Sequence, residues 1–246
     1  MSWLRIAVAV ASAGGVTACR NHSRVDAAQS PPRTSPAPQV SWQDNAFTTD
    51  RLPAVSRSGH LAVVALREND TGRGFPNLRI EIRDRNDHAT RSIEVLNSNE
   101  YERLAPAGTA TSALTGRIAL ANRELAQLHA DHDLVAMRSL DLLPAETDRE
   151  PSDPAIAVGN GLSIRWRGDR LDVLQPPNTS PVLSADARPW LAPPHPSCAA
   201  CAPCENPAFL GAIFHAAQIH VIVAQIRYRG TDACWEPSDQ FHVVAW

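Results

Sequence analysis

The chain has 246 residues, and its 23 basic residues, all arginine, face 26 acidic residues, which gives a net charge of −3. Because lysine is missing, Schiff-base catalysis, pyridoxal phosphate attachment and the lysine of a phosphate-binding P-loop are excluded. No basic stripe is visible, so we expect no nucleic-acid partner. We also expect no cofactor and no bound metal.

The first 19 residues have the pattern of an export signal. Arg5 precedes an apolar run at residues 6–15, and small residues then lead into Cys19. The sequence Val16-Thr17-Ala18-Cys19 resembles the lipobox of bacterial lipoproteins. The resemblance implies that residues 1–18 are a signal peptide, that the chain is cut before Cys19, and that Cys19 is acylated by fatty acids such as palmitate. The apolar run is shorter than the ~20 residues that a membrane-spanning helix needs.

The segment after the signal peptide is predicted to be a disordered tether. Residues 19–44 are rich in proline and serine and lack apolar periodicity, so they cannot bury enough surface to fold. The lipid on Cys19 would hold the body at a membrane of the bacterial cell envelope. Arg20, directly after Cys19, resembles the sorting pattern of outer-membrane lipoproteins, so the resemblance implies the outer membrane. The expected partners are the membrane itself and an envelope protein or a small ligand.

The predicted body, residues 45–246, begins with strands. Residues 60–66 are apolar and β-branched, while residues 78–83 and 92–96 alternate apolar with polar positions, which is the period of a half-buried strand. Turn-forming residues separate the three segments. The pattern therefore predicts an antiparallel meander of three strands.

Charged residues of the second strand and of the turn after it are predicted to lie in solvent. Arg79, Glu81 and Arg83 alternate with the apolar positions and predict a solvated strand face. Asp84 and Asp87 offer oxygen ligands for calcium, but their spacing does not match an EF-hand loop. A solvated turn is the prediction for these two carboxylates.

Helical periodicity follows the meander. Residues 113–130 predict an amphipathic helix because apolar residues recur at spacings of three and four, at Ile118, Ala121, Leu125 and Leu128. Residues 134–143 then predict one strand. The polar connector at residues 144–154 is a candidate break between two subdomains.

The last part of the chain is again rich in strand signals. Residues 162–174 predict a hairpin, residues 209–215 and 219–229 predict a second one, and residues 241–246 predict a final strand. Together the elements predict an α+β fold. It consists mainly of antiparallel sheet, with the one main helix packed on it and a C-terminal part stabilised by disulfides.

Four cysteines remain besides Cys19, and their number favours two disulfides in an exported chain. They are Cys198, Cys201, Cys204 and Cys234. The second predicted hairpin brings the three clustered cysteines within reach of Cys234, without selecting its partner. The alternative is an exported module that binds zinc through Cys198, Cys201 and Cys204 with a nearby histidine.

No sequence motif in the body specifies a reaction, and the motifs of serine hydrolases in particular are absent. The leading hypothesis is a lipid-anchored, non-catalytic binding or scaffolding protein. Its predicted recognition loop combines aromatic and charged residues: Tyr228, Arg229, Asp232, Trp235 and Glu236. The competing hypothesis is an envelope hydrolase whose groups come together only in three dimensions, with His132, His220 and Asp232 as candidates.

Overall fold

A computed structural model describes residues 35–68, 74–143, 155–159, 161–167, 169–175, 177, 180–190, 208–228 and 238–246. The predicted signal peptide and Cys19 lie outside this range, as does the connector at 144–154. Most strands of the described residues are arranged in three antiparallel sheets. The α+β class dominated by antiparallel sheet is therefore confirmed.

The first sheet, here called the meander sheet, has the strand order β6-β5-β4-β3-β7. Its strands are β3 (Ala54–Ser56), β4 (Leu61–Leu66), β5 (Leu78–Asp84), β6 (Ala89–Leu96) and β7 (Leu134–Ala136). β4 pairs with β5, and β5 pairs with β6. The predicted three-stranded meander is confirmed.

Helix α2 (Ser112–His132) covers one face of the meander sheet, while α1 (Tyr101–Leu104) is a single short turn. The Thr111 hydroxyl caps α2 by accepting a hydrogen bond from the Leu114 amide at 3.4 Å. Asp133 ends the helix in the left-handed conformation. The buried stripe of Leu114, Ala121 and Leu125 packs into the same core as β5 and β6.

The middle sheet has the order β16-β15-β14-β8, and the outer sheet has the order β13-β12-β11-β10-β9. The middle sheet contains β8 (Arg138–Ser139), β14 (Ala208–Ala216), β15 (Val221–Tyr228) and β16 (Gln240–Ala245). The outer sheet contains β9 (Asp141–Leu143), β10 (Ala155–Gly159), β11 (Leu162–Trp166), β12 (Arg170–Leu174) and β13 (Leu183–Asp186). The pairing of β11 with β12 and of β14 with β15 confirms both predicted hairpins.

Alternating side chains of the sheets build three separate cores. Ile80 and Ile93 of the meander sheet face α2, whereas Val64 faces the middle sheet. Val223 of the middle sheet shares that second core, and its neighbour Ile222 faces the outer sheet. The order of layers is therefore α2, meander sheet, middle sheet and outer sheet.

The fold begins earlier than the tether prediction allowed. Strands β1 (Gln39–Gln43) and β2 (Ala46–Asp50) form a hairpin, so residues 39–43 are not part of a disordered tether. The turn residues Asp44 and Asn45 both have positive φ, as a two-residue hairpin turn requires. The side chain of Asn122 on α2 bonds both backbone groups of Val40, at 2.8 and 2.9 Å, which fixes the hairpin to the helix.

The segment predicted to be one strand, residues 134–143, is instead three short strands. β7 pairs with β3 in the meander sheet, β8 pairs with β14 in the middle sheet, and β9 pairs with β10 in the outer sheet. The prediction of a single strand was wrong because strand propensity does not say which partner supplies the hydrogen bonds.

No helix among the described residues has the length and the apolar character needed to cross a membrane.

Candidate functional site

A cleft of about 310 Å³ opens where the meander sheet meets the middle sheet. Six of its ten lining residues are apolar and come from distant parts of the chain: Leu52, Pro53, Ala65, Leu78, Phe214 and Phe241. Four polar residues also line it, namely Thr49, Arg67, Gln225 and Asp239. Apolar walls with a few polar groups are typical of small-molecule sites.

Arg67 and Asp239 carry opposite charges in the cleft and have different environments. The guanidinium of Arg67 donates one hydrogen bond, from Nη2 to the Phe47 carbonyl oxygen at 2.8 Å. No carboxylate of the described residues pairs with it. Asp239 accepts a hydrogen bond from Gln225 Nε2 at 2.8 Å and lies 3.7 Å from Arg227 Nε. The charge of Asp239 is therefore partly compensated by a neighbouring cation, whereas Arg67 is exposed to solvent and has no ion-pair partner among the described residues.

A second polar cluster joins the meander sheet to the middle sheet. Asp87, in the turn between β5 and β6, lies 2.7 Å from His242 Nδ1 and accepts hydrogen bonds from the Val243 amide and from Arg83 Nε. Arg83 also pairs with Glu81 at 2.7 Å. The side chains of Arg83 and Glu81 are only 14% and 12% exposed, so the prediction of a solvated face was wrong at these two positions.

An aromatic column extends from His242 into the outer sheet. The Trp190 ring stacks on His242, with centroids 4.5 Å apart, and on Trp166, with centroids 6.1 Å apart. The planes of each pair are within 11° of parallel. The column and Asp87 together connect residues of all three sheets.

The buried histidine of this cluster is poorly placed for catalysis. Its Nδ1 is held by Asp87, as in a histidine–carboxylate pair of a hydrolase. Its Nε2 is buried and has no hydrogen-bond partner in the described part of the chain. A general base must reach the proton that it takes, and in this arrangement no substrate reaches Nε2. The geometry indicates a structural role for His242.

The catalytic candidates from the sequence are not assembled here. His132 is exposed in the last turn of α2, and His220 is exposed in the turn before β15, where its ring meets Trp246 edge-on. No hydrogen bond or ion pair joins the two histidines within the described ranges. Asp232 lies outside these ranges.

Tyr228, predicted to belong to a recognition loop, is buried at the end of β15 with 3% exposure. Its hydroxyl donates a hydrogen bond to the Trp190 carbonyl oxygen at 2.7 Å. Burial, with a contribution from the charge of Asp239, raises the pKa of the Tyr228 phenol. Tyr228 therefore belongs to the hydrophobic core and not to an exposed loop. The other four residues of the predicted recognition loop lie outside the described residues; they are Arg229, Asp232, Trp235 and Glu236.

The four body cysteines, Cys198, Cys201, Cys204 and Cys234, also lie outside the described ranges. Three of the described residues that flank the two cysteine-bearing segments contact each other. Trp190, which precedes the first segment, bonds Tyr228, which precedes the second. Ala208, which follows the first segment, pairs in register with Tyr228. The described residues contain no cluster of three or more histidine, cysteine, aspartate or glutamate side chains suited to a metal.

Sequence reasoning missed the cleft and the Asp87–His242 pair because both depend on distant contacts. Asp87 and His242 are 155 residues apart, and no local spacing links them. The available signal for Arg67 was its position directly after the apolar strand β4, where a charged residue marks the end of a buried strand.

No family model, no curated protein and no solved structure matches the chain. The functional conclusion therefore depends on the lipobox-like sequence and on the geometry of the cleft.

Proposed function

We propose that this protein is a lipid-anchored, non-catalytic binding protein of the bacterial cell envelope, with its ligand site in the cleft between the meander and middle sheets. The observation that carries the binding role is the combination of apolar walls with an unpaired guanidinium, Arg67. Such a mixture suits a small molecule. The localisation is supported by the lipobox-like sequence around Cys19.

The anchor is tested at Cys19. A single acyl chain binds membranes only marginally, and two or three chains bind stably, so the mature lipoprotein should pellet with membranes. Cys19→Ser should abolish acylation and membrane association, while the neighbouring change Ser23→Ala should leave both intact. Mass spectrometry of the purified N-terminus measures the modification. An unmodified Cys19 on soluble wild-type protein would refute the anchor.

Two disulfides in the C-terminal part complete the proposal. The two cysteine-bearing segments start from the same contact, between Tyr228 and Trp190, which favours one bridge from Cys234 to the cluster and one bridge inside the cluster. Bridging Cys204 to Cys234 would close a loop of ~31 residues and stabilise the fold by about 3–4 kcal/mol.

Thiol titration of the unfolded mature protein distinguishes the two disulfides from the zinc alternative. We expect no free thiol and no bound zinc. Free thiols together with stoichiometric zinc would replace the disulfides by a metal site.

A further inference from the structure

We infer that the cleft binds a small amphipathic anion, with a carboxylate or phosphate head at Arg67 and an apolar body between Phe214 and Phe241. The inference rests on the proposed binding function, because it names the class of ligand for the same site. Its basis is the charge, the shape and the composition of the cleft.

Arg67 supplies the positive charge of the cleft. Its Nη2 donates a hydrogen bond to the Phe47 carbonyl oxygen, and its other N–H groups have no hydrogen-bond partner among the described residues. Arginine presents a fork of donors that matches the two oxygens of a carboxylate or phosphate. On the adjacent strand β5, Arg79 bonds Glu68 and Arg83 bonds Glu81. Among the described residues that line the cleft, Arg67 is the basic side chain, and it has no carboxylate partner there.

Asp239 restricts where a negative charge can lie. Its carboxylate accepts a hydrogen bond from Gln225 and lies near Arg227, so it would contribute little to the binding of a cationic ligand. It would still repel a second anionic group in the cleft. The arrangement thus favours one anionic head at the Arg67 side and excludes ligands with anions at both ends.

The size of the cleft limits the rest of the ligand. A volume of about 310 Å³ lies at the lower end for small-molecule sites, so the body of the ligand is short. Phe241 is 7% exposed and Phe214 is partly buried, so each presents ring surface without being open to bulk solvent. A short aromatic or aliphatic group fits these walls.

The test compares matched probes on the full mature lipoprotein in detergent micelles. The probes are 3-phenylpropionate, phenyl phosphate and the neutral 3-phenylpropan-1-ol, and binding is followed through saturable shifts of protein amide resonances. We expect each anion to bind about tenfold or more tightly than the alcohol, the range for a hydrogen bond to a charged group. The ratio between the two anions distinguishes a carboxylate site from a phosphate site.

Two kinds of variant test separately whether the cleft prefers anions and whether it binds a ligand at all. Arg67→Gln should remove the preference for the anions, and Arg67→Lys should restore part of it. The matched control Arg85→Gln removes an exposed arginine outside the cleft and should change nothing. Thr49→Trp should obstruct the cleft and weaken all three probes, with circular dichroism confirming that every variant is folded.

The outcomes are distinguishable. Equal affinity for the alcohol and the anions in the wild type, or an unchanged preference in Arg67→Gln, would overturn the anionic class. If Thr49→Trp still abolished binding in that case, the binding function would stand with a neutral ligand. Absence of binding by all probes at millimolar concentration would overturn the inference, while the membrane anchor tested at Cys19 would be unaffected.

Discussion

The two halves of the body cover their sheets in different ways. In the N-terminal half, helix α2 packs on the meander sheet, and Leu125 lies at 0% exposure in their common core. In the C-terminal half, the middle and outer sheets pack face to face around Trp166 and Trp190. In both halves most described strands pair with strands adjacent in sequence, and each half has one distant pairing among them, β3 with β7 and β8 with β14. The halves therefore differ in what covers the sheet: a helix, whose buried face follows from a local period, or a second sheet, whose position the local sequence does not indicate.

The largest expected effect is on the sheet-covered core. Trp190→Ala would remove both ring stacks of the aromatic column, so the free energy of unfolding should fall by about 3–5 kcal/mol. The matched change in the helix-covered core, Leu125→Ala, should cost about 2–5 kcal/mol. Denaturant unfolding measures both values. If Trp190→Ala cost less than about 1 kcal/mol, the column would be surface packing rather than a core, contrary to its 6% exposure.

The next prediction concerns the contact between Asp87 and His242, which links the two halves. Asp87→Ala should lower the free energy of unfolding by about 1–3 kcal/mol, because it removes the carboxylate that bonds His242 Nδ1, the Val243 amide and Arg83 Nε. Asp84→Ala, in the same turn, is the control and should have a smaller effect. Tryptophan fluorescence and helical circular dichroism should follow one transition in the wild type and two in Asp87→Ala. Coincident transitions in the variant would contradict a coupling role for this pair.

The smallest expected effect is a pH dependence of the free energy of unfolding, caused by His215 in the middle sheet. Burial, with a contribution from the charge of Arg138, lowers the pKa of His215 below its usual value. The unfolded chain therefore takes up a proton near pH 6.5 while the folded chain stays neutral, so stability is lost as the pH falls from about 6.5 towards the folded pKa. The slope is at most about 1.4 kcal/mol per pH unit for one proton.

A substitution isolates this contribution. His215→Gln should flatten the loss of stability between pH 7 and pH 5, and the exposed residue His60 supplies the control His60→Gln. Unfolding midpoints measured across this range provide the comparison. An unchanged slope in His215→Gln would assign the acid sensitivity to other groups.

Local patterns predicted the parts of the fold that depend on neighbours in sequence. The alternation along β5 and the spacing of Ala121 and Leu125 gave a strand and a helix, since both patterns report which face is buried. The charged face of β5 was predicted to be solvated because a sequence does not reveal a second sheet above it. Arg83 is instead held against Asp87 and His242.

The functional residues were still harder to predict. Arg67 and Asp239 meet at the cleft only because two sheets pack together, and neither residue belongs to a short motif. The hairpin turn at Asp44 and Asn45 was accessible in principle, since both residue types tolerate positive φ. It was overlooked because the proline-rich composition before it indicated a tether.

The segment at residues 134–143 has a consequence for solubility. Its three strands β7, β8 and β9 each occupy the edge of a different sheet. Unpaired edge strands are templates for aggregation, and very short edge strands offer few free backbone groups to another chain. β7 and β9 have three residues each and β8 has two. One stretch of chain thus protects an edge of every large sheet, and its local detachment would expose three aggregation-prone edges at once.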